Sequence, residues 1–134
     1  MVVITSNRTR DIHDALKRRC LYHWIDYPDL EKEVQIVRTR ITEIEQSLAQ
    51  QVAFFMQNIR QESLMKKPGI SETLDWAEAL LKLNRNVLDE ATVEQTLGCI
   101  LKYREDIQKF KTNIWTDPDT RNRFLTSVAD HYDR

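Results

Sequence analysis

Only two of the 134 residues are glycine, Gly69 and Gly98, and only three are proline. Glycine supplies the positive-φ and close-approach positions of tight turns, and proline pre-sets many of the rest. A chain this poor in both cannot make the many hairpins of an all-β fold. The same scarcity removes two phosphate-binding devices. The glycines are too far apart for a G-x-x-x-x-G-K-[ST] loop, and they cannot supply the G-x-G-x-x-G turn of a dinucleotide site. A self-contained nucleotide hydrolase of either kind is excluded.

The remaining composition is that of an ordinary soluble domain, with 41% apolar and 31% charged residues. The length fits one domain or part of one. Twenty basic residues face 21 acidic ones, a formal net charge of −1. That balance gives no electrostatic reason to expect nucleic acid or a membrane surface as partner. No apolar run approaches the ~18 residues of a membrane span, and no signal-peptide pattern opens the chain. Cys20 and Cys99 make neither a disulfide framework nor a zinc site. They read as small apolar residues in a reducing compartment, so the cytoplasm is expected.

The chain opens on Met-Val-Val-Ile-Thr at residues 1–5, a β-branched run that reads as a strand buried on both faces. Such a strand needs neighbours, so a chain that begins inside one is expected to be the remainder of a larger unit. Residues 11–18 suit a short helix, and 20–27 a second short strand with aromatic content. Tyr27-Pro28-Asp29 is a stop followed by a helix start, with Asp29 as N-cap. Beyond it, Leu30, Val34, Val37, Ile41 and Ile44 recur at helical spacing, and Leu48, Val52, Phe55 and Ile59 continue the pattern. Thr42-x-x-Glu45 has capping-box form and predicts a second helix from about Glu43, against one long helix as the rival. Lys67-Pro68-Gly69 ends that stretch. Ser71 then caps a helix to about Leu83 with Trp76 on its inward face, and Asn84-Arg-Asn86 is a loop. Asp89 and the Thr92-x-x-Gln95 box open a helix expected to run to Lys111. A last amphipathic piece after Asp117-Pro118 carries Phe124, Leu125 and Val128. The expected fold is mainly α, with two parts. Residues 1–27 are the remnant of an α/β nucleotide-binding core, and residues 28–134 a small bundle of four or five helices with a C-terminal extension.

Three quoted stretches form an ordered series: Thr5-Ser6-Asn7 at a strand end, Asp14-Ala15-Leu16-Lys17-Arg18-Arg19-Cys20, and Ile25-Asp26-Tyr27-Pro28. The series resembles the end of an AAA+ ATPase module, nearest to the MoxR-type branch. The lid stretch agrees, from Lys67-Pro68-Gly69-Ile70-Ser71-Glu72-Thr73-Leu74-Asp75-Trp76-Ala77 to Thr96-Leu97-Gly98 and Lys102-Tyr103-Arg104-Glu105-Asp106. The resemblance covers residues 2–111. It implies that Asn7 is the sensor 1 residue beside the ATP γ-phosphate, and that Arg19, or Arg18 beside it, is the arginine finger. Tyr27 and Pro28 match the hinge from the core into the helical lid. Thr73 stands where many lids carry a sensor 2 arginine. The family's phosphate loop and magnesium-binding acidic strand have no counterpart here. ATP and magnesium are therefore implied only for a complete module, and the chain alone is expected to be inactive. The implied partners are the AAA+ core, ring neighbours of the same protein, and a remodelled or matured protein carrying a von Willebrand factor A domain.

The chemistry suits these residue types. Phosphoryl transfer is mostly positioning and charge stabilisation, which an asparagine and a guanidinium from a neighbouring subunit can supply. On the residues alone, Ser6-Asn7 also reads as a turn, and Arg18 and Arg19 as part of a solvated cluster with Arg8, Arg10 and Lys17. No aromatic platform interleaves with those charges, which argues against nucleic acid. Val87-Leu88-Asp89-Glu90 imitates a magnesium-binding strand end, but too few apolar residues precede the acids. His13, His23 and His131 have no metal-ligand spacing. The alternative function is a stand-alone helical interaction module without nucleotide chemistry, in which the apolar strand would pair with a second copy.

Overall fold

A computed structural model describes residues 1–5, 14–21 and 26–125. Its helices are α1 (Asp14–Arg19), α2 (Leu30–Arg40), α3 (Gln46–Ile59), α4 (Ile70–Lys82), α5 (Glu90–Thr96), α6 (Arg104–Lys109) and α7 (Pro118–Leu125). A 3₁₀ turn at Leu97–Cys99 follows α5, and a π turn at Phe110–Ile114 follows α6.

The caps explain the helix starts. Asp29 begins α2 by accepting from the Lys32 amide at 2.8 Å, and Asp89 begins α5 by accepting from the Thr92 amide at 2.8 Å. Asp117 begins α7, accepting from the Thr120 hydroxyl at 2.6 Å and its amide at 3.2 Å. Those bonds, the hydroxyl's foremost, hold the Asp117 carboxyl below the usual carboxylate range. The boundary between α2 and α3 exists as the capping pattern predicts, but α3 starts at Gln46 with Glu45 as N-cap. Helix α4 starts one residue before Ser71, at Ile70, where the Glu72 carboxylate accepts from the Gly69 amide at 2.8 Å. It ends where Asn84 turns left-handed at φ 56°. The Arg85 amide then reaches the Leu80 carbonyl at 2.9 Å and the Asn84 amide the Leu81 carbonyl at 3.0 Å, which satisfies two terminal carbonyls.

Helix α3 is the central element, with α2, α4 and α7 packed on it. Leu48, Ala49, Val52, Ala53, Phe55, Met56 and Ile59 are all buried along it, a face wide enough to meet three neighbours. Phe55 sits among four rings: Trp76 at 5.0 Å, Phe124 at 5.1 Å, and Phe110 and Trp115 each at 6.0 Å between centroids. These separations suit edge-on aromatic packing. Trp76 lies inside the core as its helical position predicts. Its indole N–H donates to the Thr96 hydroxyl at 2.7 Å, which donates to the Thr92 carbonyl at 2.6 Å.

The structure corrects three expectations. The bundle has six α-helices, α2 to α7, among the described residues rather than four or five. The extra one arises because the segment from Thr92 to Lys111 is not one helix. Gly98 weakens a helix there by about 1 kcal/mol, and the chain tightens into the 3₁₀ turn. The face then rotates, so that Asp106 is buried while Tyr103 is exposed. The Asp106 carboxylate accepts from the Met65 amide at 2.8 Å and the Lys66 amide at 3.1 Å, and Lys109 Nζ donates to the Ser63 carbonyl. This ties the α3–α4 loop to α6. Asp106→Ala would leave two backbone donors without partners, with an expected loss of about 1–3 kcal/mol by urea unfolding.

Second, the strand expected at the start is not formed. Residues 1–5 are exposed, and no strand occurs among the described residues. A strand buried on both faces needs flanking strands, and the described residues supply none. The remnant of an α/β core is thus not seen as such; of its second strand, residues 22–25 with His23 and Trp24 lie outside the described residues. Third, the buried line of α2 runs through Glu33 and Val37, while Leu30 and Val34 are only half-buried. Among the described residues no helix is long and apolar enough to cross a membrane.

Candidate functional site

The residues singled out in the sequence fall in two places. Arg18 and Arg19 end α1, both exposed. Asn7, the sensor 1 candidate, lies outside the described residues, as do His13 and His131. Tyr27, Pro28 and Thr73 meet at one end of the bundle, around two charged residues that sequence reasoning missed.

Those two are Glu33 on α2 and Arg60 just after α3. Glu33 is 0% exposed and Arg60 5%. Their side chains form a two-pronged pair, Nη1 to Oε1 and Nη2 to Oε2, each at 2.7 Å. A planar guanidinium fits a carboxylate in this way, and the double contact fixes orientation as well as distance. The remaining groups are also used. The Thr73 hydroxyl donates to Glu33 Oε2 at 2.7 Å and accepts from Arg60 Nη2 at 3.1 Å. Arg60 Nε donates to the Pro68 carbonyl at 2.7 Å. The Gln57 amide donates to Glu33 Oε1 at 2.8 Å and to the Pro28 carbonyl at 3.0 Å. The Tyr27 ring lies over the guanidinium, its centroid 4.9 Å from Cζ, within cation–π range.

Thr73 is itself 0% exposed. In this arrangement its hydroxyl is engaged inside the bundle, not turned toward solvent as a residue meeting nucleotide would be. Pro28 and Tyr27 lie at the rim of the cluster, with Tyr27 48% exposed. In this pair, each nitrogen of the Arg60 guanidinium and each oxygen of the Glu33 carboxylate carries at least one hydrogen bond. What it does is lock four pieces of chain together: the Tyr27–Pro28 joint, α2, the end of α3 and the start of α4.

Apart from this cluster, the described residues form an open groove of about 800 Å³ along the outer side of α2, lined among others by Leu30, Val34, Arg38, Thr42 and Gln46. Leu30 and Val34, placed by spacing on one helix face with Val37, both line this groove, and Val34 also packs against the core. Among the described residues, no cluster of three His, Cys, Asp or Glu side chains could hold a metal ion.

No family model, no curated protein and no solved structure matches this chain.

Glu33 and Arg60 each carried a signal. Glu33 stands four residues before Val37, and Arg60 four after Met56, so each continues a buried helical line. A charged residue at such a position is buried with a partner or ends the line, and the sequence does not say which.

Proposed function

We propose that the chain is the C-terminal part of a MoxR-type AAA+ ATPase: sensor 1 segment, arginine finger and helical lid. The observation that carries this reading is the placement of Arg18 and Arg19, exposed at the end of α1, ahead of a helical bundle entered through Tyr27–Pro28. An arginine that serves a neighbouring subunit must be free to leave its own, and a lid must close its own core. Among the described residues, every buried hydrophobic residue of the core lies between Val37 and Phe124. The exposed apolar residues 1–4 suit a strand completed by the rest of an α/β core, since an apolar edge is a template for pairing.

In the complete module ATP and magnesium would be held by the phosphate loop and acidic strand. Asn7 would orient the attacking water, and Arg19, with Arg18 as second candidate, would stabilise charge on the neighbour's ATP. This chain would turn over no ATP by itself. Its partners would be its own AAA+ core, the adjacent ring subunits and a client with a von Willebrand factor A domain, in the cytoplasm.

A stand-alone helical interaction module is the second reading, favoured by the burial of Thr73 where a lid arginine is common. The reading frame around the coding sequence separates the two. The first reading expects a phosphate loop and an acidic magnesium-binding strand encoded in frame ahead of Met1. A stop codon and ribosome-binding site there would overturn it in favour of the second.

A further inference from the structure

Trp115 is 3% exposed and packs among the rings of Phe55, Phe110 and Phe124. Its indole N–H is buried and has no hydrogen-bond partner among the described residues. Trp76, in the same core, places its own indole N–H on the Thr96 hydroxyl. A buried donor left unpaired is costly, so it calls for an acceptor from outside the chain, a water or a ligand atom. The open space against Trp115 is a pocket of about 330 Å³, lined also by Glu94, Lys111, Thr116 and Arg121. That is the lower end of the range that takes small ligands. One wall comes from the π turn: the Trp115 amide bonds the Phe110 carbonyl, five residues back, at 2.8 Å. Such turns are rare and recur at functional sites. Helix α5 supplies Glu94, and α7 supplies Arg121.

The charges of the pocket are the second observation. Glu94 and Lys111 are exposed, and neither forms an ion pair among the described residues. They line one pocket yet do not close on each other. Arg121 bonds Glu90 through Nη1 at 2.7 Å. The Thr116 hydroxyl gives its hydrogen to the Thr112 carbonyl at 2.9 Å, which leaves its oxygen as an acceptor. A plain anion would be repelled by Glu94, and a plain cation by Lys111 and Arg121. A molecule with one charge of each sign uses both ends. We propose that this pocket binds a small amino carboxylate. Its carboxylate meets Lys111 and the Trp115 indole N–H, a charge-assisted bond, and its ammonium meets Glu94 and the Thr116 oxygen. Because Nε1 shows almost no surface, the bond also requires a small movement of the indole, which the indole resonance reports. The site does not depend on the ATPase reading.

The test uses the full chain labelled with nitrogen-15, near neutral pH and at constant ionic strength. The chain has three tryptophans, and Trp115→Phe identifies the Trp115 indole N–H resonance. Glycine is the probe, with acetate and methylammonium as single-ended controls. Glycine should move the Trp115 indole proton downfield and saturably, with half-saturation at least about tenfold below that of either control. The Trp76 resonance should stay in place. Lys111→Gln and Glu94→Gln should each weaken glycine by about tenfold. Both positions are exposed, and an unmoved Trp76 resonance shows that each variant keeps the core. A Trp115 resonance that glycine does not shift saturably overturns the site. So does acetate acting as well as glycine, which would mark a plain anion site, and so does full affinity in either glutamine variant.

Discussion

In the complete ring proposed above, Arg19→Ala is expected to lower ATP turnover by about 10³–10⁵-fold and to leave ATP affinity unchanged. That loss corresponds to about 4–7 kcal/mol of transition-state stabilisation. The size follows from the role proposed for the side chain. A finger meets the γ-phosphate of the neighbouring subunit as negative charge redistributes, so its removal affects the transition state far more than the bound ground state. The exposure of Arg19 at the end of α1 is what this role requires. Arg18 is exposed beside it, and Arg18→Ala in parallel decides which of the two reaches across. Arg19→Lys keeps the charge but loses the planar fork, and should recover only part of the rate. Steady-state turnover and nucleotide binding on the same preparations separate the two quantities. Turnover unchanged in both alanine variants removes the finger from this helix.

The helices were legible wherever a cap and a stripe coincided. Asp29 and Asp89 mark α2 and α5 because a short carboxylate ahead of a periodic run has one favourable use, closing the first turn. Thr42 and Ser71 offer a short hydroxyl in the same way but do not cap, because α3 is entered at Glu45 and α4 at Gly69. The break after Thr96 was hidden because apolar spacing continues across it; Gly98 was the local sign, and the burial of Asp106 shows how the face turned. The candidate site was legible in part. Tyr27, Pro28 and Thr73 were singled out by the resemblance, as hinge and lid positions, and all three border one cluster around Glu33, Arg60 and Gln57. What joins them was not legible. Glu33 and Arg60 are 27 residues apart, and charged side chains are ordinarily read as solvated faces. Only the packing of α2 against α3 makes their burial mutual.

Arg60→Ala is expected to destabilise the chain by about 3–5 kcal/mol, and Glu33→Ala by a similar amount. Each leaves an oppositely charged group buried without its partner, and the loss is a large share of the about 5–15 kcal/mol that keeps a domain folded. Arg60→Ala also frees the Pro68 carbonyl and uncovers Tyr27; Glu33→Ala strands Thr73 and Gln57. The double replacement should be far less harmful than the sum of the two, because it removes both charges together. Urea unfolding of the four species gives the coupling directly. Strict additivity would mean that water already solvates the pair, which would remove the buried platform. A coupling of several kcal/mol would place the strongest single electrostatic contact of the bundle at the joint with Tyr27 and Pro28. The joint would then bear on the least deformable part of the molecule, so motion there would be passed on to α2, α3 and α4 together.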